Sequence, residues 1–234
     1  MDIQILHLLD GARQAKGLTV IIDVFRAFSL ECYMYQANAG GVIPVGTVED
    51  AFALQKANPS FILCGERNGI KVEGFAYGNS PSEFENIDLH NHVVIHTTSA
   101  GVQGIVNASG ADEIITGSLV NAKAIASYIR QKNPETVSLV AMGWNAKKKT
   151  EEDELCAAYI SALLKGDGIK EIDRLADELR FTEGKKFFDP SKPEFPERDF
   201  ALCTMVDRFN GVIRVLPHPV YGFMTEWKEV KNEF

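Results

Sequence analysis

The clearest chemical signal in this sequence is a series of acidic, basic and hydroxyl side chains that stand just after short apolar runs. The series comprises Asp23, Arg26, Glu66, Arg67, Thr97, Thr98, Ser99, Ser118, Asn121, Glu152 and Asp153. If the apolar runs are parallel strands, their carboxyl ends form the edge at which such sheets bind ligands. The sequence therefore predicts that these side chains converge on one site at that edge.

The residue types in this series suit an anionic ligand and a divalent metal. Arg26 and Arg67 carry planar guanidinium groups that match the oxygens of phosphate or sulfonate. Residues 97–99 precede a predicted helix, whose free backbone N–H groups favour an anion. A metal bridging to phosphate would stabilise the charge that develops during phosphoryl transfer. The acids suited to Mg²⁺ as oxygen ligands are Asp23, Glu66, Glu152 and Asp153.

Each of these residues also has a purely structural interpretation. Asp23 and residues 97–99 could cap helices, and Glu66 could form an ion pair with Arg67. Asp153 stands three residues after a threonine, which is the spacing of a capping box. Convergence of so many polar groups on one edge favours the functional interpretation over the structural one.

The elements that position these groups alternate between strand and helix. Strands are predicted at 18–22, 42–45, 61–64, 93–96, 113–115, 137–142 and 212–216. Helices are predicted at 26–38, 47–57, from about 100, at 120–131, 150–164 and 170–180, with loops at 65–81, 143–149 and 189–197. This alternation predicts an α/β fold, with three α/β/α layers around a mainly parallel or mixed sheet. We assign residues 1–234 to one domain; the alternative is a smaller C-terminal part from about 165, where the pattern loosens.

Composition narrows the class of protein. The net charge of −8 argues against nucleic-acid binding. No apolar run reaches the roughly 18 residues of a membrane span, and the N-terminus has no signal-peptide pattern, so a cytoplasmic location is expected. The four cysteines form no CxxC pair and are expected to be reduced, buried thiols. For oligomeric state, base rates favour a homodimer.

Five motifs resemble one protein family in their order and intervals. They are DVFRA at 23–27, GERNG at 65–69, GNSP at 78–81, TTSAG at 97–101 and EDELCA at 152–157. Together they resemble the 2-phosphosulfolactate phosphatases of coenzyme M biosynthesis, over about residues 18–160. The resemblance implies a three-layer α/β fold and Mg²⁺-dependent hydrolysis of (2R)-2-phospho-3-sulfolactate to sulfolactate and phosphate. That substrate carries three anionic groups, which would account for two arginines, a hydroxyl-rich helix start and a cation.

Each site residue has an expected role under this hypothesis. Mg²⁺ is expected to be held by some of Asp23, Glu152 and Asp153. Either Asp23 or Glu66 is expected to orient the attacking water or to act as the nucleophile, and the sequence leaves both routes open. The residues expected to bind the substrate are Arg26, Arg67, Asn79, Ser80, Thr97, Thr98, Ser99, Ser118 and Asn121.

The sequence departs from the family pattern at two positions. Phe28 stands where a small hydroxyl residue is usual, and Ala76 stands where an aspartate is expected. These departures define two alternatives. One is a phosphatase that acts on a related phosphorylated 2-hydroxy acid in another pathway. The other, of a different class, is a protein that binds a small dianion without turning it over.

Overall fold

The computed structural model describes residues 1–231. The strands are β1 (Asp2–His7), β2 (Gly17–Ile22), β3 (Gly41–Pro44), β4 (Ile62–Arg67), β5 (Ile70–Lys71), β6 (Val93–Thr97), β7 (Ala111–Gly117), β8 (Thr136–Ala141), β9 (Gly211–His218) and β10 (Gly222–Glu229). The helices are α1 (Leu8–Gln14), α2 (Ala27–Gln36), α3 (Val48–Ala57), α4 (Gly101–Asn107), α5 (Ala122–Lys132), α6 (Glu151–Lys165), α7 (Ile172–Glu178) and α8 (Glu197–Thr204). Short 3₁₀ helices cover Pro81–Phe84, Leu119–Asn121, Leu179–Phe181 and Glu183–Phe188.

The strands form one mixed sheet in the order β1-β8-β2-β7-β9-β10-β3-β6-β4-β5. The first sheet half, β1, β8, β2 and β7, is parallel throughout. In the second sheet half β3, β6 and β4 are parallel, and β5 folds back against β4. The antiparallel hairpin of β9 and β10 lies between the halves and pairs with β7 on one side and β3 on the other. These pairings reverse the strand direction, so the parallel strands of the two halves run in opposite senses.

Side chains of β2 show why helices cover both faces of the sheet. Val20 and Ile22 pack into a core shared with α5 and α6, whereas Ile21 packs into a second core with α1, α2 and α4. Successive residues of a strand point to opposite faces, so an unbroken apolar run requires cover on each. The result is the three-layer α/β/α fold that the alternation predicted.

Helix α4 brings the two sheet halves together. It follows β6 of the second half but packs against β2 of the first. A Cβ added at Gly104 would lie 2.5 Å from Ile21 Cγ2 and 2.7 Å from Met142 Sδ, so only glycine permits this close approach. The carboxyl end of β6 therefore lies beside that of β2, although four strands separate them in the sheet order.

The predicted elements between residues 18 and 164 are present, with one substantial error. Residues 65–81 were expected to be loop, but β4 continues through Arg67 and turns at Asn68 and Gly69 into β5. Both turn residues have positive φ, which suits a tight hairpin. Pro44 stands at the last position of β3, an interior strand.

Four elements near the chain ends were not predicted: β1, α1, α8 and β10. The strand β10 alternates polar with apolar residues and has a single buried side chain, so it lacks the apolar run that marked the other strands. Helix α8 begins directly after the proline-rich segment, at Glu197. The amphipathic helix expected near 170–180 is present as α7, and the strand expected at 212–216 is present as β9.

The cysteine expectation is confirmed, because all four are free and buried. Within the described residues, no helix combines the length and apolar character needed to cross a membrane.

Candidate active site

A small cleft lies where the carboxyl ends of β2, β4, β6 and β8 meet. Five residues that the sequence placed at the site line this cleft: Asp23, Arg26, Glu66, Asn79 and Ser99. The loops that carry these five residues follow strands of both sheet halves. The residues therefore meet at the cleft only because α4 packs against β2. The cleft is the candidate active site.

Asp23 is held between the starts of two helices. It is 6% exposed. Its Oδ1 accepts a hydrogen bond from the N–H of Ala27 at 3.1 Å, and its Oδ2 accepts one from the N–H of Gly101 at 2.8 Å. Burial raises the pKa of Asp23 to about 6; these backbone donors oppose the shift and the nearby charge of Glu66 adds to it. The expected cap role of Asp23 is thus present, within the cleft.

Asp153 clamps the ends of β2 and β8. Its Oδ1 accepts from the N–H of Val24 at 2.8 Å and its Oδ2 from the N–H of Gly143 at 2.7 Å. Burial raises the pKa of Asp153 well above its usual range, and the charges of neighbouring acids add to the shift. The capping box proposed for this residue is absent, because Thr150 makes no side-chain cap. Asp153 instead joins two strand ends at the floor of the site.

Glu152 is a buried acid with spare hydrogen-bonding capacity. It is 3% exposed, and its Oε2 has no hydrogen-bond partner in the described part of the chain. Burial raises the pKa of Glu152 to about 7, while the positive charge of Lys186 opposes that shift. A buried acceptor without a partner is costly, so it marks a position where a cation or donor would be stabilised.

Lys186 supplies positive charge beside these acids. Its Nζ lies 4.6 Å from the ring centroid of Trp144 and 5.2 Å from that of Phe195, and both rings line the cleft. Burial lowers the pKa of Lys186, whereas the charges of Glu152 and Asp23 oppose that change. Lys186 was not predicted, because a lysine in a motif-free segment beside phenylalanines looks like an ordinary surface residue.

Glu66 links the β4–β5 hairpin to the loop before α4. One oxygen, Oε1, accepts from the N–H of Ser99 at 2.7 Å. The other, Oε2, accepts from the N–H of Gly69 at 2.6 Å and from Ser99 Oγ at 3.1 Å. The ion pair proposed between Glu66 and Arg67 does not form; Arg67 donates to the backbone oxygen of Glu66 instead, at 2.7 Å. Glu66 and Ser99 are thus a mutually bonded pair in the cleft wall.

Arg26 lines the cleft but is largely engaged by the C-terminal part of the chain. Its Nη1 donates to Asp199 Oδ2 at 2.7 Å and to the carbonyl oxygen of Glu194 at 2.9 Å. Its Nη2 donates to the carbonyl oxygen of Gly69 at 3.2 Å, and the guanidinium lies 4.7 Å from the centroid of Phe195. Only its remaining N–H groups are left for a ligand.

Asp199 of α8 is a fully buried partner that was not predicted. Besides Arg26, its Oδ2 accepts from Ser80 Oγ at 2.6 Å, and its Oδ1 accepts from the N–H of Ser82 at 3.0 Å. Ser80 was expected to bind substrate, but the structure engages its hydroxyl with this carboxylate. No motif marks Asp199, since its role arises only when α8 packs against the loops of the second sheet half.

Three other residues that were expected to bind the substrate, Arg67, Thr97 and Thr98, form hydrogen bonds within the protein instead. Arg67 donates to Thr97 Oγ1 at 2.8 Å and does not line the cleft. Thr98 Oγ1 accepts from the N–H of Val102 at 3.1 Å and so caps α4. The hydroxyls of Thr97 and Thr98 are therefore already hydrogen-bonded to other groups of the protein.

Ser118 and Asn121 lie away from the cleft. They form a reciprocal capping box at the start of the 3₁₀ helix Leu119–Asn121, in which Asn121 Oδ1 accepts from the N–H of Ser118 at 3.2 Å. Asn121 also donates to the carbonyl oxygen of Gly211 at 3.2 Å, and Ser118 Oγ lies 2.5 Å from Ser29 Oγ. The end of β7 pairs with the end of β2, but Ser118 and Asn121 bond to Ser29 and to Gly211 and do not line the cleft.

The residues expected to hold Mg²⁺ are brought together in part. Asp23, Glu152 and Asp153 are close enough for their charges to interact. Among residues 1–231, however, no three His, Cys, Asp or Glu side chains form a group that could hold a metal ion unaided. The unpartnered Oε2 of Glu152 fits Mg²⁺ in its usual mode, in which one or two carboxylates are completed by waters and substrate phosphate oxygens.

Both departures from the family pattern fall outside the cleft. Ala76 is exposed, and its N–H donates to the carbonyl oxygen of Leu63 at 3.1 Å. Phe28 is 1% exposed and packs in the core with Ile105. Neither departure therefore removes a residue that lines the site.

A larger surface cavity of about 570 Å³ lies near α2 and α8. Its one acid, Glu85, is bound by Arg198 through both carboxylate oxygens. This cavity lacks the cluster of buried acids, so the smaller cleft is the better candidate for chemistry.

Comparison with known proteins agrees with the motifs. A family model described as 2-phosphosulpholactate phosphatase matches residues 4–215. A "Probable 2-phosphosulfolactate phosphatase" of Thermotoga petrophila is 34% identical over 201 residues, which cover 82% of this chain and 86% of the relative. Proteins of the same name from Caldanaerobacter subterraneus (33% identity; 83% of this chain, 89% of the relative) and Bacillus subtilis (27%; 80% and 82%) also match.

Proposed function

Because the chain belongs to the 2-phosphosulpholactate phosphatase family, we propose that it is a Mg²⁺-dependent hydrolase of phosphorylated 2-hydroxy acids, with 2-phospho-3-sulfolactate as the first candidate substrate. The observation that supports this most is Asp23, a buried carboxylate at the meeting point of two helix starts in the cleft. Helix starts stabilise negative charge, so this position suits a phosphoryl group as well as the acid itself.

Asp23 is the proposed reactive acid. Its two oxygens are fixed by backbone N–H groups, and each keeps a second lone pair for a water or a phosphorus atom. Above a pH of about 6 the carboxylate is mainly deprotonated, as either a general base or a nucleophile requires. The other acid, Glu66, carries three hydrogen bonds and is better suited to orienting Ser99 and the hairpin.

We assign the Mg²⁺ to Glu152, with Asp153 and Asp23 as its neighbours. When bound, the ion would neutralise charge on the phosphoryl oxygens and polarise the ester. Glu152 would contribute its unpartnered Oε2, and Asp153 would hold the strand ends that carry the site in place.

Local positive charge must attract the substrate against a net charge of −8. We propose that Lys186 and the unengaged N–H groups of Arg26 provide it, since both lie at the aromatic wall of the cleft. The N–H groups of Asn79 and the region of Ser99 would bind the remaining anionic oxygens. A substrate with phosphate, carboxylate and sulfonate groups matches this distribution.

We further propose that the product, sulfolactate, is used in coenzyme M biosynthesis. The enzyme is proposed to act in the cytoplasm and to form a homodimer. Four unpaired thiols support a reducing compartment.

The test is phosphate release from a panel of esters, for example 2-phospho-3-sulfolactate, 2-phospholactate and 2-phosphoglycerate. Each is assayed with Mg²⁺, after EDTA treatment and after Mg²⁺ is restored. We expect release that EDTA abolishes and Mg²⁺ restores, and that is fastest with the sulfonate. If the folded protein releases phosphate from none of these esters, the phosphatase proposal is wrong. Calorimetric binding of sulfolactate without turnover would then support the dianion-binding alternative.

A further inference from the structure

Three buried polar side chains form a line that ends at the cleft, and only the last of them, Asn79, has a role in the proposed chemistry. Glu31 lies in α2, His96 in β6, and Asn79 in the segment before Pro81–Phe84. Glu31 and His96 have no exposed surface, and Asn79 is 6% exposed. His96 Nδ1 is 3.2 Å from Glu31 Oε1, and His96 Nε2 is 3.2 Å from Asn79 Oδ1.

Both nitrogens of the His96 ring face oxygen atoms. In the tautomer that carries its proton on Nε2, the ring donates to the carboxamide oxygen of Asn79. The carboxamide oxygen of Asn79 is therefore occupied as an acceptor. Its Nδ2 has no acceptor among the described residues, and Asn79 lines the cleft. The orientation held by His96 thus leaves the two N–H groups of Asn79 for a ligand.

Stability does not account for the buried Glu31–His96 pair. Removing two ionisable groups from water is unfavourable, and apolar residues of the same volume are often as stable or more so. Glu31 Oε2 is in addition a buried oxygen without a hydrogen-bond partner in the described structure, which adds to the cost. The buried pair lowers the stability of the fold and contacts a residue of the cleft. A role in ligand binding therefore explains it better than a role in stability.

We propose that His96 and Glu31 are positioning residues that fix the carboxamide of Asn79 with its N–H groups toward an anionic oxygen of the substrate. The inference rests on the proposed function and names one of its binding contacts, for a phosphate, carboxylate or sulfonate oxygen. Without the His96 donor, the amide turns over and presents its carbonyl oxygen to the anion. That orientation repels the ligand instead of binding it.

Two substitutions of the same residue separate the two ends of the line. In His96→Gln the amide nitrogen takes the place of Nε2 and keeps a donor toward Asn79. In His96→Asn the amide nitrogen takes the place of Nδ1 and keeps the contact with Glu31 alone. Both variants lose the ring, so they form a matched pair for any general effect on packing.

The first measurement needs no substrate. The side-chain amide signal of Asn79 in a ¹H–¹⁵N spectrum is assigned by its absence in Asn79→Ala. We expect this signal to shift or broaden in His96→Asn and to stay near its wild-type position in His96→Gln. If His96→Asn does not fold, Glu31→Gln replaces it, because loss of the charge loosens the ring and should broaden the same signal. An unchanged Asn79 signal in the folded variants overturns the proposal.

The second measurement is kinetic. In His96→Asn we expect KM to rise about tenfold with kcat changed less than threefold, whereas His96→Gln retains most of the wild-type kcat/KM. The double variant His96→Asn with Asn79→Ala should be no worse than Asn79→Ala alone, because His96 acts through Asn79. The proposal that His96 positions Asn79 is also overturned if His96→Asn and His96→Gln lose kcat/KM equally, or if the losses in kcat/KM are additive in the double variant. If wild-type protein releases no phosphate from any ester, the proposed function fails, and the spectrum still decides the role of His96.

Discussion

The two sheet halves build the cleft by different means. In the first half, the carboxylates of Asp23 and Asp153 accept hydrogen bonds from backbone N–H groups of strand ends and helix starts. In the second half, Glu66 accepts from the N–H groups of Gly69 and Ser99 and from the Ser99 hydroxyl, and Asn79 contacts the ring of His96. Both donors to Asp153 are buried, whereas the two bonds between Glu66 and Ser99 are only partly buried. Partly exposed groups can bond to water instead, so the loss of an acceptor should cost less in the second half.

The largest expected effect is on stability, in Asp153→Ala. The substitution leaves the N–H groups of Val24 and Gly143 buried without acceptors, so we expect a loss of about 3–5 kcal/mol in the free energy of unfolding. The matched change in the second half, Glu66→Ala, should cost less, about 1–3 kcal/mol, because the N–H and hydroxyl groups of Ser99 are only partly buried and can bond to water. Chemical denaturation measures both. Equal losses would contradict the contrast between the halves.

The next effect is on catalysis, in Asp23→Asn. The amide cannot act as base or nucleophile, and we expect kcat to fall by about 100-fold or more. Phosphate release at saturating ester measures this, with circular dichroism to confirm folding. Asp112→Asn is the control, because this exposed acid lies at the amino end of β7. A variant of Asp23 that keeps more than a tenth of the wild-type kcat would rule out its proposed role.

Glu152→Gln should change how stability depends on pH. The folded protein raises the pKa of Glu152 from 4.5 to about 7, so it binds more protons than the unfolded chain between these values. The contribution of protonated Glu152 to the free energy of unfolding is fully present below pH 4.5 and is lost as the pH rises through about 7. Glutamine has no charge to bury, so in metal-free buffer at pH 8 the variant should gain about 2 kcal/mol over wild type.

Unfolding curves at pH 4.5, 6 and 8 test that prediction. A constant difference between Glu152→Gln and wild type across this range would show that Glu152 is not the group responsible. Since the proposal gives Glu152 to Mg²⁺, the same variant should need more Mg²⁺ for half-maximal phosphate release.

The smallest expected effect is in Lys186→Met. Methionine keeps the apolar contact with Trp144 and Phe195 but removes the charge, so we expect KM for the ester to rise about five- to tenfold with little change in kcat. Lys185→Met, the exposed neighbour, is the control. If both substitutions raise KM equally, the effect belongs to general electrostatic attraction and not to the position of Lys186.

The sequence located Asp23, Glu66 and Ser99 because short apolar strands and the residues that follow them are local features, and it located Asn79 through the GNSP motif. The partners of Arg26 could not be found in this way. Asp199 is 173 positions away in the chain and reaches Arg26 only when α8 packs on the second sheet half. Lys186 and His96 gain their importance from burial beside particular rings and acids, which no spacing encodes.

Ser118 shows a second limit of sequence reasoning. The expectation that all strand ends share one edge assumes strands of one direction. The strand β7 runs parallel to β2 and ends beside it, so strand direction alone places Ser118 at that edge. The hydroxyl of Ser118 instead contacts Ser29 of α2 and caps the 3₁₀ helix Leu119–Asn121. Residues following β7 thus resemble ligand residues in type but serve as caps.

The position of that hairpin has a consequence for the order in which the protein can be made. Residues 211–229 join the two sheet halves, yet none of them lines the cleft. During synthesis every cleft residue emerges before these two strands, so until then no strand pairing joins the halves, which are held together only by packing such as that of α4 on β2. Loss of only the last twenty or so residues, by a premature stop codon or a protease, would then abolish activity without touching the chemistry.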